Sequence, residues 1–353
     1  MADPSMPDAK SYVTHVQRDL SVVPKLFSDI LTHYSGIPPA QQAAHIIRIR
    51  DAAYTHCPYP CIGNFRYLGL DLAAHPAYTE HVLAPLLLRP PQSAGSAPAE
   101  PEHHGGGGPE GDQTGQQQQI ADDRGDAPIF LDVGTCFGQD VRKLIYDGAD
   151  PARIYASDVS RVLIDHGFEL FQDEGRLSRD HFLCPGNMLL TSPEDIARDK
   201  LTQLHDKVSI LHITTVFHLF PLEQQKAVAD RCLRLLRKDI PADAKSGPAL
   251  ILGGQVGNAQ PGHFLRKSQK HFSHMYRHDV QSWQDMWDEV AARPEWKARI
   301  SKLDVQSRLV KRVMDHEAGT ITFPQPSEAD LVDKDGGSAP LWHQFEVRVV
   351  FDH

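Results

Sequence analysis

Apolar positions along this chain fall into two different rhythms, separated by a stretch with neither. From residue 128 onward, short apolar runs alternate with longer stretches in which apolar residues recur at helical spacing. The runs at 128–133, 154–157, 181–184, 208–213 and 249–252 read as strands. The helix that starts at Gly138 carries Val141, Leu144 and Ile145 on one face, and the one from Ser160 carries Leu163, Gly167, Leu170 and Phe171. Ser192-Pro-Glu194 reads as an N-cap followed by proline at the first helical position. Pro221 opens the next helix, with Val228, Cys232, Leu235 and Leu236 toward the sheet. Strand–helix alternation of this kind predicts a parallel sheet with right-handed crossovers.

The last third changes pattern. Residues 279–292 place Trp283, Met286, Trp287 and Val290 at helical spacing, and 303–310 and 345–351 read as strands. A long connection and a closing hairpin-like pair after five strand–helix units predict a seven-stranded α/β sheet with one reversed strand. At the other end, Ala43, Ile46, Ile47 and Ile49 lie in a run free of Gly and Pro behind Pro38-Pro39, which predicts helix. Cys57-Pro-Tyr-Pro-Cys-Ile-Gly63 is a rigid turn, and a further helix is expected over 76–88. Residues 89–127 are low in complexity, with Gly at 105–108 and Gln at 116–119. Such a segment buries too little apolar surface to offset the entropy of ordering and is expected to be a disordered linker, with His103 and His104 solvated. The chain thus divides into an N-terminal helical cap (1–88), a linker (89–127) and an α/β domain (128–353).

Composition narrows the class. Apolar residues at 41% and charged residues at 23% describe a globular protein. No apolar run is long enough for a membrane span and no signal pattern opens the chain, so a cytoplasmic location is expected. A net charge of −10 argues against sequence-independent binding to nucleic acid. Of the five cysteines, Cys57 and Cys61 form a C-x-x-x-C pair, but no second pair completes a zinc site, and no metal is expected.

The chemistry concentrates in Ile129-Phe-Leu-Asp-Val-Gly-Thr-Cys-Phe-Gly-Gln-Asp140, a strand running into a glycine turn at a helix N-terminus. Such a turn brings backbone N–H groups close to a ligand, with the positive end of the helix dipole behind them. Asp158 closes the next apolar run, one strand–helix unit later, where a carboxylate can accept both ribose hydroxyls of a nucleoside ligand. It can also cap the following helix. The spacing Asp132-x-Gly134-x-Cys136-x-Gly138 lacks the G-x-G-x-x-G of dinucleotide folds. It fits the D/E-x-G-x-G-x-G loop for S-adenosyl-L-methionine, with Cys136 at the middle glycine. Asp132 would face the ammonium group of this cofactor, directly or through water, while Gly134 and Gly138 let the backbone wrap its methionine part. After the third strand, Asn187 would accept from the adenine amino group and Met188 would pack on the adenine face, unless Met188 belongs to the core. Val159 belongs to the same adenosine wall. After the fourth strand, Thr214, Thr215 and Val216 should face the cofactor. His218 is the candidate general base, and a histidine bonded to a backbone carbonyl is the equally weighted alternative.

Several of these segments, with Ser35-Gly-Ile-Pro, Arg50-Asp51, Pro60-Cys-Ile-Gly63, Arg142-Lys-Leu, Asp147-Gly148, Phe217-His-Leu-Phe220, Gln224-Gln225, Arg277-His278, Ser282-Trp283 and Trp287, resemble fungal secondary-metabolism methyltransferases. These include enzymes that methylate a carboxylate in meroterpenoid pathways. The resemblance covers most of the chain outside the linker. Cys136 departs from the generic loop but suits this fungal subgroup, and Asn187 stands where Asp is more usual. The resemblance implies a class I methyltransferase fold, Rossmann-like and seven-stranded, with an N-terminal helical cap over the site and a small-molecule acceptor. It implies O-methylation of a carboxylate or hydroxyl by in-line displacement. Arg66, Tyr67 and Trp283 are the candidates to contact the acceptor. Arg50 is another, although a structural ion pair suits it better. The basic, aromatic stretch 262–278 reads as a flap over the acceptor or as a solvated loop. Two other functions compete: a cofactor-binding regulator without turnover, and a nicotinamide oxidoreductase, which the glycine spacing and the reversed strand disfavour. The acceptor and the oligomeric state stay open.

Overall fold

The computed structural model describes residues 17–87, 127–239, 248–267, 272–315, 317–333 and 336–352. Nearly all of the expected linker, with its two histidines, lies outside the described residues, as do the first 16 positions.

The cap begins with α1 (Lys25–Asp29), which widens into a π turn at Ile30–Tyr34. Pro39 opens α2 (Pro39–His56), whose Ile46, Ile49 and Ala53 face inward. Arg50 is buried on the same helix. Its Nη1 donates to the carbonyls of Gln17 and Gly63, its Nε pairs with Asp51 at 2.7 Å, and its guanidinium lies 4.2 Å from the Phe65 ring centre. The guanidinium is consumed by holding the cap together, so Arg50 is structural. The turn helix α3 (Pro60–Gly63) leads to a 3-10 turn, Arg66–Gly69, bracketed by left-handed Phe65 and Leu70. The helix expected at 76–88 is a π turn, Tyr78–Leu83, followed by α4 (Ala84–Leu86). Pro85 lacks the N–H that would continue a regular ladder.

The second part supplies β1 (Phe130–Val133), α5 (Gln139–Tyr146), β2 (Ile154–Ser157), α6 (Arg161–Phe171) and β3 (Phe182–Leu183). Then come α7 (Pro193–Arg198), β4 (Ile210–Ile213), α8 (Leu222–Leu235) and β5 (Ala249–Asn258). A hairpin of β6 (Gly262–Lys267) and β7 (Phe272–Arg277) precedes α9 (Val280–Ala291) and α10 (Pro294–Lys297). The chain closes with β8 (Ile300–Val310), the hairpin β9 (Val313–Asp315) and β10 (Thr320–Thr322), and β11 (Pro340–Phe351). The seven-stranded sheet has the order β3-β2-β1-β4-β5-β11-β8, with β1 to β5 parallel and β11 antiparallel to both neighbours. This is the class I methyltransferase plan, reversed strand included. Among the described residues no helix is long and apolar enough to cross a membrane.

Strand alternation sorts the core. Leu131, Leu211, Ile251, Phe345 and Val347 meet α8 and α9 on one face, through Val228, Cys232, Trp283 and Trp287. Phe130, Ile154, Ile210 and Leu252 meet α5, α6 and the Tyr78–Leu83 turn on the other. A third cluster packs the cap onto Phe137, Leu163, Leu170 and Phe171. Trp283, expected against the acceptor, is wholly buried, with Phe345 at 4.7 Å and Phe217 at 5.0 Å between ring centres. Its apolar spacing served the core, and no acceptor reaches it there.

A buried ion pair within the α/β domain also anchors the cap, through Tyr34. Arg142 Nε and Nη2 donate to the two oxygens of Asp173 at 2.9 and 3.0 Å, and Tyr34 Oη adds a third bond at 2.8 Å. Both charged side chains have no exposed surface. Asp173→Ala strands the guanidinium, and stability is expected to fall by about 3–5 kcal/mol. The midpoint of urea unfolding reads this, and an unshifted midpoint would show the pair to be dispensable.

Candidate cofactor and acceptor site

The cleft forms where β1, β2 and β4 end. Leaving β1, the chain turns through three left-handed residues, Gly134 (φ 72°), Cys136 (φ 54°) and Gly138 (φ 66°). A side chain on Gly134 would put its Cβ 2.6 Å from Val216 Cγ2, so glycine here lets the turns after β1 and β4 touch. The N–H groups of Gly134 and Thr135 donate to Ser157 O at 2.8 and 3.0 Å. The Cys136 N–H donates to Asp158 Oδ2 at 3.0 Å, while Asp158 Oδ1 accepts the Ser160 N–H at 2.9 Å. Asp158 therefore serves both the glycine loop and the start of α6. Ser160 makes no capping bond of its own; its hydroxyl lies 3.3 Å from Cys57 Sγ. Burial pushes the Asp158 carboxyl up to about 6, against the pull of its backbone donors. Beside it, Val159 is 61% exposed and forms an apolar shelf.

Asp132 sits deeper. Its Oδ2 accepts from Thr135 Oγ1 at 2.6 Å, and its Oδ1 meets His212 Nδ1 at 2.7 Å. His212 Nε2 is 2.7 Å from Thr214 Oγ1, which accepts the Gly254 N–H at 3.2 Å. Burial opposes protonation of His212, but the Asp132 partner outweighs it and the imidazole pKa is raised. Each oxygen of Asp132 thus has one partner inside the protein and keeps a second lone pair. Sequence reasoning gave His212 no role. The signal was register: in the parallel pairing of β1 with β4, Asp132 and His212 are direct partners.

After β3, Met188 is buried with Leu131, Val133, Leu183 and Phe217, so it belongs to the core and not to an adenine face. Asn187 Oδ1 accepts the Leu189 N–H at 3.0 Å, which leaves one lone pair and the amide nitrogen for a ligand. Thr215 is left-handed (φ 59°), and its N–H donates to Gly254 O at 2.8 Å. Next to Val216, His218 lies in the 3-10 turn Phe217–Leu219, half-buried. The β6–β7 hairpin is tied to this turn by the Tyr276 N–H on Phe220 O at 2.9 Å, so the basic stretch is an anchored ribbon next to the cleft. Its tip, residues 268–271, lies outside the described residues. From the cap, Tyr67 is buried edge-on to Phe137 of the glycine loop, with ring centres 4.8 Å apart. Its hydroxyl has no hydrogen-bond partner among the described residues. Arg66 stays exposed at the rim, with its pKa held down by the surrounding protein and by Arg312.

Residues 15–68 match the family described as the meroterpenoid methyltransferase N-terminal domain. The O-methyltransferase phiE of a fungal species is 29% identical over 277 residues, which span 78% of this chain and 74% of that protein. The asnovolin E/chermesin D methyltransferase nvfJ of Aspergillus novofumigatus is 27% identical over 74% of each chain. The O-methyltransferase atr3 of Stereocaulon alpinum is 30% identical, over 76% of this chain and 63% of its own length. The chain is thus similar to fungal methyltransferases over about three quarters of its length.

The residues present suit S-adenosylmethionine, the cofactor expected from the glycine loop. Gly134 leaves a cradle that a Cβ would fill, and a buried carboxylate stands where two hydroxyl donors would relieve it. Ribose hydroxyls bind the ionised carboxylate, and the protonated form accepts poorly. Affinity for S-adenosylhomocysteine is therefore expected to fall as pH drops through about 6, becoming roughly tenfold weaker at pH 5 than at pH 7. Calorimetry across that range checks it. A flat profile, or an unchanged slope in Asp158→Asn, would remove Asp158 from ribose recognition.

Proposed function

We propose that this chain transfers a methyl group from S-adenosylmethionine to a carboxylate or hydroxyl oxygen of a small-molecule secondary metabolite, in the cytosol. The observation that carries the reading is the clamp of Cys136 N–H on Asp158, which joins the glycine loop to the ribose-binding position. When bound, the cofactor supplies an activated sulfonium methyl, so the chain's work is alignment and exclusion of water. In this reading Asp158 accepts the ribose hydroxyls, Val159 flanks the adenine, and Gly134 with Val216 bounds the methionine part. The contact of Tyr67 with Phe137 seats the cap against the glycine loop. Asn187 contributes to the adenosine end through its amide. A carboxylate acceptor is already ionised and needs no base. A hydroxyl acceptor gives up a proton, and His218 is the group to take it.

Calorimetry with S-adenosylhomocysteine and with NAD separates this reading from an oxidoreductase. Only the former should bind, and Asp158→Ala should weaken it by about 1–3 kcal/mol. Labelled cofactor incubated with fungal extract should place label in a small organic product; binding without label transfer would instead mark a regulator. With an acceptor in hand, His218→Ala should leave transfer to a carboxylate near wild type and slow transfer to a phenol by roughly 100-fold. Equal effects on both would deny His218 a role as base.

A further inference from the structure

A cleft distinct from the cofactor site opens at the opposite edge of the sheet. It is lined by His205 and Asp206 before β4, by Arg234 and Lys238 at the end of α8, and by Arg299 before β8. The cofactor turns lie where β4 ends, so the length of that strand separates the two places. The cleft encloses about 350 Å³, within the range of small-molecule sites. Pro193 and Ala197 of α7 are exposed along it, as is Arg299, so it is open to solvent. With Ile196, the two α7 residues give it an apolar wall.

Cations dominate the polar part of the lining, in a chain whose net charge is −10. The charged groups of Arg234, Lys238 and Arg299 stand 5.6, 5.8 and 5.6 Å from the ring centre of the buried Trp296. Asp230 and Glu295 answer Arg234 at 2.8 and 3.1 Å, and Asp206 answers Lys238. Arg299 stacks on the indole and has no ion pair among the described residues. Burial and the Arg299 charge hold the Lys238 ammonium down to about 8. His205 adds a neutral donor. Its Nε2 lies 2.7 Å from Arg231 Nη1, which can only donate, so the imidazole proton sits on Nδ1. Burial and the charges of Arg231, Lys238 and Arg234 hold the His205 pKa down to about 4, which keeps the ring neutral at pH 7. Arg231 is itself fixed by Asp199 at 3.2 Å, and both side chains are almost wholly buried.

We propose that this cleft is a second small-molecule site that takes an organic monocarboxylate, with the carboxylate on Arg299 and the His205 Nδ1–H and the attached ring or hydrocarbon against Pro193, Ile196 and Ala197. A guanidinium offers a carboxylate charge-assisted, directional bonds, and Arg299 has no internal acid to compete for them. One uncompensated cation calls for one negative charge; a dianion would also be repelled by Asp206, Asp230 and Glu295. The cleft shares no residue with the cofactor site, so the assignment does not depend on the methyl-transfer reading.

The test titrates the full chain by calorimetry with 2-naphthoate, the neutral 2-naphthamide and 2-naphthyl phosphate. Wild type should bind the carboxylate at least about tenfold more tightly than the amide, and the phosphate no more tightly than the carboxylate. Arg299→Gln should bring carboxylate and amide within roughly threefold of each other, and Arg299→Lys should keep part of the preference. Ala197 is exposed, so Ala197→Phe fills the cleft from its rim without disturbing the core and should abolish binding of all three probes. Thermal melts followed by circular dichroism confirm that the variants fold. Equal affinity of wild type for carboxylate and amide, no naphthoate binding in the millimolar range, a preference that survives Arg299→Gln, or binding that survives Ala197→Phe would each overturn the site. Tighter binding of the phosphate would overturn its assignment to a monocarboxylate.

Discussion

The architecture depends on a guanidinium that never meets water. Arg142 is enclosed by the rings of Phe168, Phe171 and Phe182, each within 5.1 Å of its charged carbon. In such surroundings an unpaired charge is untenable, so both oxygens of Asp173 are drawn to it. Its remaining Nη1 holds the carbonyl of Phe137, inside the glycine loop, at 3.1 Å. Tyr34 of the cap reaches the same carboxylate. Loop, cap and the segment after α6 are thus positioned by one charge whose partners have nowhere else to go. The cap is fastened a second time by Asp140, whose Oδ1 accepts the Leu72 N–H. The turn between β9 and β10 holds it a third time, where Gly319 lies against the backbone of Lys25 and Leu26.

That rigidity lets the cleft hold conformations and charges that would not persist in isolation. Cys136 and Thr215 both adopt left-handed backbone, which costs a side-chain-bearing residue about 1–2 kcal/mol. Each is held by an N–H bond, to Asp158 and to Gly254. Asp158 keeps a carboxyl raised to about 6, and Asp132 shares charge with His212 behind the loop. The surface that meets the ligand is built from these local costs, and the buried frame behind it bears them.

Strand–helix alternation was readable because β1 to β4 are short apolar runs bounded by turn residues, and the structure sets them within a few residues of those runs. The ends of β5 and β11 were not. β5 continues through Gly253, Gly254 and Gly257, residues that weaken a strand, because β11 supplies ten consecutive partners. β11 begins at Pro340, well before its apolar run, because His343 and Gln344 are buried polar positions that alternation does not mark. Met188 and Trp283 show the complementary error. Large apolar side chains near a cleft look like ligand walls, yet both point away from it into the packed face that carries α8 and α9.

The sequence by itself determined the cofactor end of this protein. A glycine turn and the carboxylate one unit later are local features, and their chemistry follows from spacing along the chain. The partners Asp132–His212, Arg142–Asp173 and Arg312–Asp71 are separated by 80, 31 and 241 positions. No periodicity encodes them, because each exists only once strand register and cap docking have brought two distant side chains into one low-dielectric space. Tertiary structure alone decided which charges are neutralised there.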